Sequence, residues 1–330
     1  MPSPTLQETH IDSALTNMSV AYLQDPNMYI ADKVFPIVPV EKQSDRYFVY
    51  KKEDWLRDEA VERAAGTESA GGGYDIDNTP SYYCIKWAYH KDVTDDDRTN
   101  SDEPLRPDED AVQFVTDKML LRRENLWAQS YFKASVWGTD MTGAPSADQG
   151  AGTFIHWDDY ENSNPIEDID TQRWAIASVT GKLPQILVLG PYTYKALRNH
   201  PIVLDRIKYT QRGIVTPDLL ATLLDVDKVL VAAAVQNASA KGAATQNINF
   251  VFGKGALLTY AAPSPGIKTA SGGYCFAWNG LFGSGAYGNR IGRIPMPWLG
   301  EGTERIEGEM AFDIKVVGAD LGCFFAGCVS

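Results

Sequence analysis

Residues 47–93 read YFVYKKEDWLRDEAVERAAGTESAGGGYDIDNTPSYYCIKWAYHKDV. Both ends of this stretch carry strand signals and the middle carries none. Tyr47, Phe48, Val49 and Tyr50 are aromatic or β-branched residues of the kind that suit a pleated surface. From Ser81 the chain alternates, with Tyr83, Ile85, Trp87 and Tyr89 on one side and Cys84, Lys86 and His90 on the other. Between the two lie a run of mixed charge, Lys51 to Arg63, and a small-residue run that includes Gly71, Gly72 and Gly73. Two strands joined by such a tip form a long hairpin. A two-stranded ribbon buries no core and is marginal alone in water, and ordering its tip costs roughly 1–2 kcal/mol per residue. Neighbouring chains are therefore expected to support it, which makes the protein a subunit completed by copies of itself.

Working outward, residues 1 to about 33 read as an arm that leads into VFPIVPV, where Pro36 and Pro39 force an extended path. On the other side, after the acidic stretch DVTDDDRTNSDE, residues 106–137 (RPDEDAVQFVTDKMLLRRENLWAQSYFKASVW) carry the marks of a long helix. Pro107 suits its first turn, and Asp108, Glu109 and Asp110 suit the positive end of its dipole. Val112, Val115, Met119 and Leu126 form one stripe, and Phe114, Leu121, Ala128 and Phe132 a second on nearly the opposite side, as in a spine touched from two sides. From about Asn164 to Pro263, helix and strand patterns alternate: a helix from Pro165 to Gly181, the strand QILVLG, the helix PYTYKALRNHP, a short helix PDLLATLL and the strand KVLVAAAVQ. This is an α/β unit. The last third reads as strands broken by Gly and Pro, with Met310, Phe312, Ile314 and Val316 on one face of a half-buried strand. The whole is an α+β chain.

Composition narrows the function. Hydrophobic residues make up 44% and charged residues 22%, so wholesale disorder is excluded. The 43 Asp and Glu against 30 Lys and Arg give a formal net charge of -13, which repels phosphate backbones. Cys84, Cys275, Cys323 and Cys328 contain no Cys-x-x-Cys pair and read as reduced, buried thiols. The N-terminal residues lack the basic start and apolar run of a signal peptide, and no apolar run approaches a membrane span, so synthesis in a cytoplasm is expected. Gly283-Ser284-Gly285-Ala286-Tyr287-Gly288 matches the dinucleotide fingerprint, but Gly292, Pro295 and Pro297 forbid the helix that must follow it. His10, His90, His156 and His200 are scattered, and no nucleophile elbow, zinc helix or Walker loop is present. No catalytic, cofactor-binding or metal-binding residue is assigned. The chain is read as a non-enzyme with no cofactor.

The order of arm, charged hairpin, spine helix opened by RPDEDAVQFV, α/β unit and returning strands resembles the major capsid protein of tailed bacteriophages, with the HK97 fold. ADKVFPIVPVEKQSDRYFVYKKEDWLRDEA followed by RAAGTES is similar to the arm and hairpin of one large siphophage capsid group. The resemblance implies an N-terminal arm at 1–45, an extended loop at 46–95 and a peripheral domain with the spine helix at 96–164. It also implies an axial domain at 165–290 and C-terminal strands at 291–330 returning to the peripheral domain. It further implies hexamers and pentamers tiling an icosahedral shell around double-stranded DNA, in a virion assembled in the bacterial cytoplasm. Only about 45 residues precede the first hairpin strand, so the expected partners are a separate scaffolding protein and a portal, with a decoration or cement protein as a further one. No sequence-specific DNA contact and no membrane is implied. Lys51 and Lys52 lie in the segment where some members crosslink, but no partner residue can be placed and that chemistry is not carried over.

Two other classes compete. A phage tail-tube or decoration protein also self-assembles, but tube proteins are mainly β and the long two-sided helix argues against one. An acid hydrolase would use Asp158 or Asp159 with Glu161, although adjacent residues project differently and no second cluster accompanies them.

Overall fold

The computed structural model describes residues 24–101, 105–146, 150–208, 215–266, 268–282 and 289–330. His10, most of the arm and the Gly283–Gly288 motif lie outside them.

After Pro36 the chain enters β1 (Ile37–Val40), and the hairpin follows as two short antiparallel ladders. β2 (Ser44–Arg46) pairs with β5 (Ser81–Tyr83), and β3 (Val49–Tyr50) pairs with β4 (Ile76–Asp77), with one turn of helix, α1 (Lys52–Trp55), between β3 and the tip. The strand expected as one piece from Ser81 to Val93 divides at Cys84. Cys84 is fully buried and donates its N–H to the Gln43 carbonyl at 2.8 Å. Beyond it, β6 (Ile85–Val93) leaves the hairpin and pairs along nine residues with β16 (Glu304–Val316). The returning strand is therefore a member of a larger sheet, and only residues up to about 84 form the ribbon.

The side chain of Thr94 caps α2 (Asp95–Thr99) through a capping box. The spine, α3 (Pro107–Tyr131), then runs 25 residues with Pro107 at its first position. It stops short of the expected Trp137, whose indole N–H donates to the Tyr131 carbonyl at 2.7 Å. Val115 is buried, and Val112, Met119 and Leu126 pack beside it against β6 and β16. Gly308 makes that approach possible, since a Cβ there would lie 2.7 Å from a Val115 methyl. The second stripe is covered only at its far end. Ala128 and Phe132 pack with Phe252 and Phe324, whereas Phe114 is exposed beside Tyr89.

The α/β half begins with β7 (Thr139–Ala144) and β8 (Thr153–Ile155). It continues through α4 (Pro165–Thr180), β9 (Ile186–Leu189), α5 (Pro191–Asn199), α6 (Pro201–Ile207), α7 (Pro217–Leu223), β10 (Lys228–Val231), β11 (Val235–Asn237), β12 (Ile248–Phe250) and β13 (Ala256–Thr259). Gly181 ends α4 in the left-handed conformation that a side chain would resist. The strand expected across KVLVAAAVQ is broken, and its second half, β11, pairs with β12 in a separate hairpin. The six-stranded mixed sheet runs β10-β9-β13-β17-β7-β8, where β17 is Gly322–Ala326. Both of its faces are covered. Leu187, Leu189, Leu258 and Phe325 meet α4 to α7, while Val188, Leu257 and Phe324 meet the end of the spine. That accounts for the uninterrupted apolar run of β9.

The other sheet contains β14 (Gly273–Trp278) and β15 (Asn289–Pro295) in the order β1-β14-β16-β15, with β6 on the far edge of β16. Short α8 (Asn279–Phe282) links its β14 to the segment before β15. The domain limits expected from the resemblance do not follow these sheets. β7 and β8 lie before residue 165 yet belong to the six-stranded sheet, and β17 returns to that sheet instead of to the spine's.

Candidate assembly surfaces

The arm is anchored by its own chain more firmly than its sequence suggests. Gln24 pairs with Val235 through both ends of its side-chain amide, at 2.7 and 2.8 Å. Tyr29 donates to Asp117 at 2.6 Å, and its hydroxyl is held protonated well beyond its usual range by burial and by that carboxylate. Glu124 of the spine is fully buried, and its carboxylate accepts the backbone N–H groups of Ile30 and Ala31 at 2.9–3.1 Å. Phe35 then inserts among Trp127, Tyr131 and Trp137. The reading of residues 1 to about 33 as an arm and of 47–93 as a ribbon without a core is thus corrected for residues 29–33 and 85–93, which with residues 34–40 are integral to the fold.

At the root of the hairpin Tyr82 and Cys84 are buried and pack, with Tyr47, on Tyr274 and Phe276, whereas no residue from 48 to 80 is buried. Phe48 is 68% exposed and Val61 69%, and Leu56, Ile76 and Tyr83 are also open. Apolar side chains left in water along a projecting ribbon mark a contact surface. A second projection, the hairpin of β15 and β16, carries Ile291 and Ile294 on its edge strand and Trp298, 70% exposed, with Leu299 at its tip. The sheet face away from the spine is polar and internally paired. Glu309 sits between Lys86 of β6 and Arg290 of β15. Burial pushes the Glu309 carboxyl up, but its hydrogen bonds to those two cations outweigh this and hold it below the usual range. Arg305 grips Asp92 with two bonds of 2.7 and 2.9 Å, and Arg98 bridges Asp108 and Glu304.

The residues weighed for catalysis are engaged in structure. Asp158 accepts from the Ser330 hydroxyl at 2.6 Å and from its N–H; burial raises its carboxyl, and these bonds bring it below the usual range. Asp159 is bound by the Asn162 amide, and Glu161 is exposed. Together they form a turn that pins the end of the chain. Sequence reasoning overlooked one Ser–His contact: Ser163 Oγ lies 3.0 Å from His200 Nε2, and both residues are buried. It is wired against nucleophilic use. His200 Nδ1 accepts the Ile202 N–H, so Nε2 carries the proton and donates, while Ser163 donates to the Asp159 carbonyl. His156 Nδ1 contacts the Gly327 carbonyl, and His90 sits on the polar face of β6. All four cysteines are free and buried, with the Cys84 and Cys323 thiols pushed up to about 12 mainly by burial. Among the described residues no cluster of His, Cys, Asp and Glu could hold a metal ion, and no helix is long and apolar enough to cross a membrane.

This arrangement of two sheets sharing one spine, with projecting hairpins, is the capsid fold of the HK97 type. The chain superposes on a phage-related protein from Bordetella bronchiseptica RB50 with a TM-score of 0.67 and 20% identity, covering 92% of this chain and 94% of the other. It superposes on the capsid protein of cyanophage P-SCSP1u with a TM-score of 0.54 and 9% identity, covering 98% and 95%. No protein-family model matches the chain. In sequence it is 26% identical over 229 residues to the major capsid protein of Burkholderia phage BcepMu, covering 68% of this chain and 69% of that one. It is also 26% identical over 355 residues to the major capsid protein of Pseudomonas phage JBD67, covering 97% of each. By sequence the chain is thus similar to phage major capsid proteins, and by structure it has their fold.

Proposed function

We propose that the chain assembles as hexamers and pentamers into a closed icosahedral phage head around double-stranded DNA, and that it performs no catalysis. The observation that supports this most directly is the stretch of the hairpin from residue 48 to residue 80, which exposes Phe48, Val61 and Ile76 and contains no buried residue. A neighbouring subunit supplies the missing cover. The sheet around β16 with the spine serves as the peripheral domain, and the six-stranded sheet with α4 to α7 as the axial domain. A separate scaffolding protein, a portal and a decoration protein are the partners this reading calls for, with assembly in the bacterial cytoplasm. Negative-stain microscopy of the purified chain, expressed alone and with the scaffolding protein of its own phage, tests the proposal. Closed shells tens of nanometres across are expected, and compact monomers under both conditions would reject it.

A further inference from the structure

The outer ladder of the hairpin carries a feature that the shell reading alone does not call for. Tyr50 on β3, Trp55 at the end of α1 and Tyr74 on the return path pack against one another, with ring centroids 5.5–6.1 Å apart. The ammonium of Lys268 lies over all three rings, at 5.4, 5.5 and 6.0 Å from their centroids. A cation shared by three aromatic faces is a directional contact, because the ring quadrupoles attract it from three sides at once. Lys268 also adopts φ of 62°, a left-handed conformation that an ordinary side chain occupies only when its surroundings impose it.

The placement of this lysine gives the contact its consequence. Residues 260–272, which include it, form the crossing from β13 of the six-stranded sheet to β14 of the spine's sheet. The same part of the hairpin is tied to another such crossing as well, because Lys52 on α1 forms an ion pair with Asp320, between β16 and β17. One flank of the hairpin thus rests on two of the segments that join the two sheets, the spine being the third.

We infer that Lys268, held by Tyr50, Trp55 and Tyr74, is a positioning residue that sets the angle at which the hairpin leaves the subunit and couples that angle to the arrangement of the two sheets. This rests on the proposed shell function, since the angle matters only where the hairpin reaches a neighbour. The cation is the essential element: arginine can occupy the same aromatic box, and an uncharged chain of similar length cannot be held there in the same way.

Lys268→Met and Lys268→Arg, compared with the unaltered chain, test the inference at two levels. In the soluble subunit, hydrogen exchange of the backbone N–H of Lys51, which donates to Asp75 across β3 and β4, is expected to quicken roughly fivefold to tenfold in Lys268→Met and to stay near the original in Lys268→Arg. In assembly, Lys268→Met is expected to give fewer closed shells and more aberrant ones, with Lys268→Arg restoring the normal product. Unchanged exchange in Lys268→Met, or no recovery in Lys268→Arg, would overturn the role assigned to the cation. If the unaltered chain itself forms no shells, the proposed function fails, and the exchange measurement still decides whether the box holds the hairpin.

Discussion

Glu124 shows how one buried carboxylate fixes the path of the arm. Its oxygens meet two backbone N–H groups, from Ile30 and Ala31, and among the described residues no cation pairs with them. Burial pushes its carboxyl up from 4.5 to about 7; nearby Asp32 pushes the same way, while the two N–H donors and Lys33 pull it down. A carboxyl raised in the folded chain binds more protons there than in the unfolded chain, so stability falls as pH climbs from about 4.5 to about 7 and is level above. Glu124→Gln removes that dependence. In urea melts of the soluble subunit, the wild type should lose on the order of 3 kcal/mol relative to the variant across this window. Parallel curves would show that the carboxyl is not titrating there. Nothing in the sequence marks Glu124, because a glutamate in a charged helix reads as solvated, and its partners are main-chain groups 93 and 94 residues away. Phe114 misleads in the opposite sense, an apolar residue at stripe spacing that stays exposed with only Tyr89 and Lys118 beside its ring among the described residues.

At the scale of elements, the readable parts were those with a strong period. The alternation of β6 and β16 and the Val112 to Leu126 stripe of the spine translate directly into the packing seen at Gly308. The break at Cys84 was not readable, since the same alternation continues through a point where the strand exchanges partners. Nor was the burial of residues 29–35, whose irregular backbone has no period. The hairpin divides accordingly. Residues 48–80 serve the surface, while Tyr47, Tyr82 and Cys84 pack on the sheet and residues 85–93 join it as a strand. Deleting Glu68 to Gly73, which are exposed, should leave a soluble subunit with its melting temperature changed by no more than about 2 °C. That subunit should form no shells. Normal particle yield from the deletion would remove the hairpin tip from the assembly contacts.

The whole molecule is two sheets, each built from sequence-distant strands and joined by one helix. Its class was legible in the order of elements, whereas the membership of the sheets was not, because which strand closes which sheet depends on long-range pairing that leaves no local mark. β17 illustrates this best. It lies between β13 and β7 in the interior of the six-stranded sheet, with Phe325 fully buried and Gly322 pressed against the Trp137 ring. A chain terminated at Asp320 would lack a central strand and expose the unpaired edges of both neighbours, and it should aggregate when expressed. Recovery of a soluble, cooperatively melting product would contradict this. The same placement bears on biosynthesis. A ribosome must move past residue 326 before the sheet can close, so a prematurely terminated polypeptide never presents a finished surface to its siblings. On the proposed assembly, the fold thereby withholds copies that stop short of β17 from the growing particle without any separate inspection step.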